Sequence, residues 1–498
     1  MRFILLAILL PSLVFAQKKT TSLEQKIKEF DQYVEAGRVK WEVPGMAVAV
    51  VKDGKVIFSK GYGTKEIGQN NPVDTQTLFS IGSTTKAMTA VCMGMLVDEG
   101  KISWDEPVIK YLPEYQLYDP YVTRELRIRD LFLHNSGVGN ADFVWTIMDI
   151  PVAEIFKKMK DVKPSYSFRS GFIYQNIFYI AAGEVIKRVS GMPWESFIQQ
   201  RIFTPLAMTR TAPMRRFIKD DNQTKPHNRV EGKIATVPYT KDDEVNSAGS
   251  VWSSIDDMSK WVLCMLDSSK YPGGRLLKKN TWAEMFKPQT IVTDSEFYPT
   301  QQLTKPHWKT YGLGWFQQDY QGRKLNFHTG SLNGLTAITG QIQEERVGVM
   351  VLGNLDHAEI RHAILYKSMD HFALGGTRDW SAEFYTLYGN RTAMMDKMLK
   401  DFEGKRVANT KPTLPLQAYA GKYSDPLYGD VEVTLQGNQL VLVANRIVKL
   451  TADHWNYDTF RGWFEDKSWG KANATFILGP TGQVEKVSLD GMEFARKN

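Results

Sequence analysis

A hydroxyl and an amine stand three residues apart in the stretch Phe79-Ser80-Ile81-Gly82-Ser83-Thr84-Thr85-Lys86. Positions i and i+3 share one helix face, so Ser83 Oγ and Lys86 Nζ can meet in a cleft. A serine hydroxyl beside an amine is the outline of an activated nucleophile. The apolar run that follows, residues 87–97, carries Met88, Val91, Cys92, Met93, Met95 and Leu96. It predicts a central buried helix that Gly100 ends as a C-cap. The same spacing recurs at Ser468-Trp469-Gly470-Lys471. There an internal glycine and strand-like neighbours argue against one helix face, so the helical setting, and not the spacing, marks the first pair.

Reading forward, Tyr174-Gln175-Asn176 stands in a loop just before a helix, and His328-Thr329-Gly330-Ser331 stands at the end of a strand. In this order the three elements resemble the S-x-x-K, Y-x-N and K/H-T-G motifs of class C β-lactamases and penicillin-binding-protein-like serine hydrolases, which include D-amino-acid peptidases and esterases. Ile128-Arg129-Asp130-Leu131 with His134-Asn135-Ser136-Gly137, residues 202–208, and Ala248-Gly249-Ser250 fit the same family. The similarity covers about residues 25–375. A second Tyr-x-Asn, Tyr388-Gly389-Asn390, lies after the His-Thr-Gly and so in the wrong order.

The resemblance implies that Ser83 attacks a carbonyl and forms an acyl-enzyme, with Lys86 and Tyr174 sharing the work of the base. An unperturbed lysine is neutral in only about one molecule in 2,500 at pH 7. Either the Lys86 pKa falls or Tyr174 ionises beside it, and both remain open. By the same resemblance Asn176 holds Lys86 and the substrate amide, and the backbone N–H groups of Ser83, at a helix N-terminus, and of Ser331, on the edge strand that carries Thr329 and Gly330, form an oxyanion hole.

Position 328 is His where lactam-binding members carry Lys, which weakens the positive charge near neutral pH that would pair a lactam carboxylate. Members with H-x-G are more often peptidases or esterases, and no counterpart of the deacylating Glu of class A enzymes can be assigned. The expected function is therefore an exported serine hydrolase cleaving amide or ester bonds in small peptides, ones with D-residues or related to cell-wall fragments, or in esters. The alternative is a β-lactamase, or a penicillin-recognising module that acylates slowly or not at all. The intact Ser83, Lys86, Tyr174 and Asn176 favour the enzyme. No G-x-S-x-G occurs, which argues against an α/β-hydrolase. His357, His362 and His371 do not form H-E-x-x-H, so neither a metal nor another cofactor is implied.

The elements that must position these residues are legible in outline. Leu23, Ile27, Phe30 and Val34 recur at helical spacing over residues 22–40, and two β runs, 46–52 and 56–60, flank the turn signal Asp53-Gly54. Helical signals follow at 128–133, 177–190, 194–202, 258–266 and 281–286. Strand signals return at 311–317, 324–328, 335–342 and 347–352, before a helix over about 358–372. A hairpin at one end and strands some 250 residues later predict one antiparallel sheet, flanked by helices, made by both ends of an α/β unit with an all-α lobe. This β-lactamase/transpeptidase-like unit is expected over 17–392. Residues 393–413, ending in Lys411-Pro412-Thr413-Leu414-Pro415, read as helix remnant plus linker. Over 414–498 short alternating runs at 431–435, 440–443, 447–450, 455–460, 474–478 and 484–489 predict a small antiparallel, lipocalin-like barrel. Its Trp455, Tyr457, Trp463 and Trp469 read as core and not as a ligand box.

Composition bounds the remaining possibilities. The 498 residues, 43% hydrophobic and 23% charged, make a globular chain of two or three folding units. Arg2, a short apolar core and small residues before Gln17 read as a secretory signal peptide over 1–16. No Cys follows for a lipid anchor, and no later run of about 20 apolar residues predicts a membrane span. Removing the signal lowers the net charge from +7 to +6, with no basic block or stripe, so nucleic acid is not an implied partner. A small-molecule or peptide substrate is, and analogy with two-domain relatives leaves a homo-oligomer open. Cys92 and Cys264 sit in apolar helical patterns and read as buried free thiols.

Overall fold

The computed structural model describes residues 22–148, 150–241 and 246–497. The expected export signal, residues 1–16, lies outside them. Ser22 caps α1 (Leu23–Lys40), its side chain accepting the Gln25 N–H at 3.1 Å. The hairpin follows as β1 (Gly45–Lys52) and β2 (Lys55–Gly63), turning at Asp53 and Gly54, both in the left-handed region.

Next come α2 (Thr85–Asp98), α3 (Asp142–Thr146), α4 (Ile177–Ser190) and α5 (Ile255–Leu266), the main helices of the lobe used below. The chain then returns through β3 (Thr290–Ile291), β4 (Lys309–Tyr311), β5 (Phe316–Tyr320), β6 (Arg323–Leu332), β7 (Leu335–Ile342) and β8 (Val347–Gly353). They make one antiparallel sheet in the order β2-β1-β8-β7-β6-β5-β4-β3. Both ends of the body thus meet at the β1–β8 pair, where Val48 lies opposite Val351.

The sheet is buried on both faces, and β1 shows how. Ala47, Ala49 and Val51 face one core with α2 and α5, while Met46, Val48 and Val50 face the other with α1 and α6 (Ile360–Met369). This period-two alternation splits a continuous apolar run between two helical layers. Cys92 and Cys264 are buried free thiols, as expected.

Several local expectations are corrected. Residues 128–132 form a 3-10 helix, and Ser83 itself lies in a 3-10 turn, Gly82–Thr84, ahead of α2. Strand β6 runs past His328 to Leu332, so the His-Thr-Gly-Ser segment is wholly strand. α7 (Trp380–Gly404) continues through the first part of the stretch expected as linker. The barrel has eight strands, closed by Gly421–Asp425 against Met492–Arg496, two strands beyond the six runs expected. The run 455–460 is two strand ends around a turn at Tyr457 and Asp458. Nor are the barrel's four singled-out aromatics core residues. Leu450, Ala452 and Phe460 point inward, so the opposite parity puts Trp455 and Trp463 outside. Trp455 stacks on Phe402 of α7, and Tyr457 and Trp469 are exposed.

Candidate active site

Ser83 and Lys86 meet as expected, with Lys86 Nζ 3.0 Å from Ser83 Oγ. The amine also lies 2.7 Å from Asn176 Oδ1 and 2.9 Å from the Ala248 carbonyl. These three oxygens suit either protonation state. An ammonium donates to all three, whereas a neutral amine spends its two N–H groups on the two carbonyl-type oxygens and turns its lone pair to Ser83. Lys86 is fully buried, and its Nζ stands 4.8 Å from the centre of the Tyr174 ring and 5.2 Å from that of Tyr179. Burial pushes its pKa down to about 7, against the opposing pull of Asp142.

The Tyr174 hydroxyl is buried near Ser83 and has no hydrogen-bond partner among the described residues. Burial holds its pKa well above the usual tyrosine value, outweighing the Ser83 hydroxyl, so the phenol is neutral. Behind it, the His134 ring lies 4.4 Å from the Tyr174 ring, and His134 Nδ1 accepts the Gln175 N–H at 3.0 Å. His134 sits at φ 56, a costly conformation for a residue with a side chain.

Asn176 stands at the N-cap position of α4, where an Asn normally bonds its own helix. Here the side chain caps nothing. Its Nδ2 donates to Asp142 Oδ2 at 2.9 Å, which turns Oδ1 toward Lys86. Asp142, on α3, was not singled out in the sequence. A polar pairing 34 residues apart in a loop-rich stretch carries no periodicity, and the only signal was an acidic residue within reach of a Tyr-x-Asn.

His328 is fully buried. Its Nδ1 lies 2.6 Å from the Thr329 carbonyl, which can only accept, so the proton is on Nδ1 and Nε2 accepts from the Tyr311 hydroxyl at 2.8 Å. Burial, then the Lys86 charge, pull its pKa down to about 3, although the Thr329 bond opposes them. The positive charge expected to be weakened near neutral pH is thus absent: the ring is neutral throughout the working range. Thr329 Oγ1 is 2.6 Å from the Tyr298 hydroxyl, a second partner the sequence did not reveal.

Two glycines bring the strand to the nucleophile. A Cβ on Gly82 (φ 49) would fall 2.6 Å from Ser331 N, and one on Gly330 would fall 2.0 Å from the Ile81 carbonyl and 3.1 Å from Ser83 N. Only residues without side chains let the Gly82–Thr84 turn and β6 approach this closely. Ser331 itself is exposed at the cleft.

A family model described as beta-lactamase matches residues 30–370. The chain belongs to that family. The β-lactamase-family match is followed by a second, a domain of unknown function (DUF3471), over residues 405–498, which include the closed barrel. Unguisins hydrolase ungD of Aspergillus violaceofuscus is 27% identical over 476 residues, covering 87% of this chain and 82% of that protein. Protein flp of Staphylococcus aureus (strain N315) is 22% identical over 337 residues, covering 66% of this chain and 63% of that one. The octameric penicillin-binding protein homologue from Pyrococcus abyssi superposes with a TM-score of 0.62 at 21% identity, covering 94% of this chain and 99% of that chain. This β-lactamase-family protein is a serine hydrolase. Among the described residues no helix is long and apolar enough to cross a membrane, and no group of three His, Cys, Asp or Glu could hold a metal.

Proposed function

We propose that this protein is an exported serine hydrolase that opens amide or ester bonds through an acyl-enzyme on Ser83, acting on small peptides, D-residue-containing or cell-wall-related, or on esters. The observation that carries the reading is the set of three oxygens around Lys86, one of them Ser83 Oγ, on an amine whose pKa is near 7. At pH 7 about half the molecules then hold the free amine, roughly a thousandfold more than for an unperturbed lysine. Lys86 takes the Ser83 proton as Oγ bonds to the carbonyl carbon. The carbonyl oxygen becomes an oxyanion facing the Ser83 and Ser331 amides. When the tetrahedral species collapses, the C–N or C–O bond breaks and Lys86 returns the proton to the leaving group. Water then repeats the sequence on the acyl-enzyme. Tyr174, neutral and buried beside Ser83, holds its hydroxyl free to pass the proton between Lys86 and the leaving group.

The substrate side of the proposal rests on His328. A lactam carboxylate next to the scissile bond calls for a cation on this strand, and a neutral imidazole bonded to Tyr311 supplies none. Export rests on the reading of residues 1–16. The test is labelling with a serine-directed fluorophosphonate, followed by kcat/KM for a p-nitrophenyl ester, a D-amino-acid amide and a chromogenic cephalosporin. Ser83→Ala is expected to lose labelling and more than 99% of ester hydrolysis with its melting temperature unchanged; a variant keeping a tenth of the rate would mean another nucleophile. Cephalosporin turnover of about 10^6 per molar per second or more would instead make the protein a β-lactamase. Labelling without turnover of any substrate would make it a sensing module. For export, N-terminal sequencing of the protein recovered from a host periplasm is expected to begin at Gln17.

A further inference from the structure

Behind the strand that carries Ser331 lies a buried ion pair that the chemistry above does not use. Arg361, at the second position of α6, is 5% exposed, and its guanidinium reaches back under β6. Nη1 lies 2.8 Å from the Gly330 carbonyl, 2.9 Å from Ser331 Oγ and 3.4 Å from the Ala337 carbonyl. Nε and Nη2 each lie 3.3 Å from an oxygen of Glu359, a two-pronged pairing. Burial opposes ionisation of Glu359, but Arg361, with His357 and His362 alongside, holds its carboxyl well below the usual range. The pair is thus ionic and carries no net charge.

Its target is one peptide unit. Gly330 C=O and Ser331 N–H belong to the same planar trans peptide and point in opposite directions. With the carbonyl turned to Arg361, the N–H points to the other edge of β6. That edge has no strand beside it beyond Phe327, where the β5 pairing stops, and the Gly82–Thr84 turn takes its place. A cation bonded to a peptide carbonyl draws electron density from the amide and makes its N–H a stronger donor.

We infer that Arg361, clamped by Glu359, is a positioning residue for acyl transfer: it fixes the Gly330–Ser331 peptide and strengthens the Ser331 N–H as an oxyanion donor. The inference rests on the proposed acyl-enzyme at Ser83. Arg361 touches no substrate and acts only through this peptide. Its effect therefore belongs to the tetrahedral species, where negative charge sits on oxygen, and not to the bound substrate.

The test compares Arg361→Lys, Arg361→Gln and the neutral pair Glu359→Gln/Arg361→Met. Replacing both partners avoids leaving a buried carboxylate alone. For each, kcat and KM are measured on the p-nitrophenyl ester, together with the affinity of a phenylboronic acid, whose tetrahedral adduct with Ser83 mimics the oxyanion. The neutral variants are expected to lose about 10- to 100-fold in kcat, with KM within twofold and boronate affinity falling by the same factor. Arg361→Lys, which keeps Glu359 paired and so folds even where neutral variants fail, is expected about three- to tenfold down in kcat and boronate affinity together. Wild-type kcat in Arg361→Lys or in any folded neutral variant, or a loss confined to KM, overturns the inference. Ser83→Ala in the same assay separates the two readings. If it still hydrolyses ester, the site itself is misassigned. If it is dead while the Arg361 series runs at wild-type kcat, only the role of Arg361 has failed.

Discussion

Burying an amine disfavours its charged form, and at Lys86 the protein balances that against a nearby anion. Asp142 pulls the Lys86 pKa up while burial pushes it down to about 7. The sign of the pH dependence follows. The free amine is the active form, so kcat/KM rises with pH up to about 7 and then levels, some three units below where an ordinary lysine would level. Replacing Asp142 with Asn removes the carboxylate that supports the ammonium, and Asn176 loses its anchor as well. Asp142→Asn is therefore expected to shift the rising limb to lower pH and, by loosening Asn176, to cut the plateau by roughly tenfold or more. A stopped-rate pH profile of ester hydrolysis in both proteins decides this. A rising limb that moved to higher pH would show that Asp142 does not support the charged amine.

At the scale of elements, the site is a turn pressed against a strand edge. Gly82 and Gly330 set how near the Gly82–Thr84 turn and β6 come, and backbone stands in the way of any added Cβ. Gly82→Ala puts a side chain at φ 49 and 2.6 Å from Ser331 N, so the turn must back away from the strand. We expect a loss of more than about a hundredfold in kcat/KM and a destabilisation of about 1–3 kcal/mol, read from ester kinetics and denaturant melts. Near-wild-type kinetics would mean that the turn and β6 need not approach this closely.

The elements that could be read from sequence were those whose signals are local. Residues 335–342 are β7, the run begun at Val347 is β8, and the periodic stretch from Leu23 is α1, because apolar runs and their periods are written in adjacent residues. The Ser83 and Lys86 pair was legible for the same reason. What escaped depended on distant partners. Asp142 acts through Asn176, and Arg361 acts through Gly330. The barrel's first and last strands are short and mixed in character, and only the closure between them makes them strands. The turn at Tyr457 lacks Gly or Pro, so it hid inside an apparent strand. The outward Trp455 and Trp463 show that aromatic content cannot assign a face when the register is unknown.

Across the whole molecule, the barrel rests on both lips of the site. On one side, Asn445 Nδ2 donates to the Ile147 carbonyl at 2.9 Å, just beyond the α3 helix that carries Asp142, while Leu427, Tyr428, Val448 and Met492 pack on the body's core. On the other, Asn333, in the turn after β6, donates to Ser468 Oγ at 2.9 Å, and Lys467 pairs with Glu231. Ser468, whose spacing to Lys471 imitates the nucleophile motif, is thus a latch residue. A chain ending at Gly404 is expected to keep a cooperative unfolding transition yet lose roughly ten- to a hundredfold in kcat/KM, because both lips lose a support. Calorimetry and ester kinetics on the shortened chain check this, and full activity would leave the barrel without a part in the reaction.

The pairing of β1 with β8 also has a meaning in time. Val48 and Val351 are about 300 residues apart, and at about 5–20 residues per second a ribosome needs roughly 15–60 s to make the intervening chain. For that interval the β1–β2 hairpin is complete on one edge and bare on the other, showing apolar residues and unpaired amides to its surroundings. The barrel has no such wait: successive strands pair with their neighbours, and only its last strand reaches back to its first. The later-made part is thus the part built for quick local closure. Ser83 leaves the ribosome early, but it cannot meet the Ser331 amide until nearly the whole sheet has been synthesised. A molecule of this architecture stays inert until its sheet is complete at Gly353, and the site can then form while the barrel is still being made.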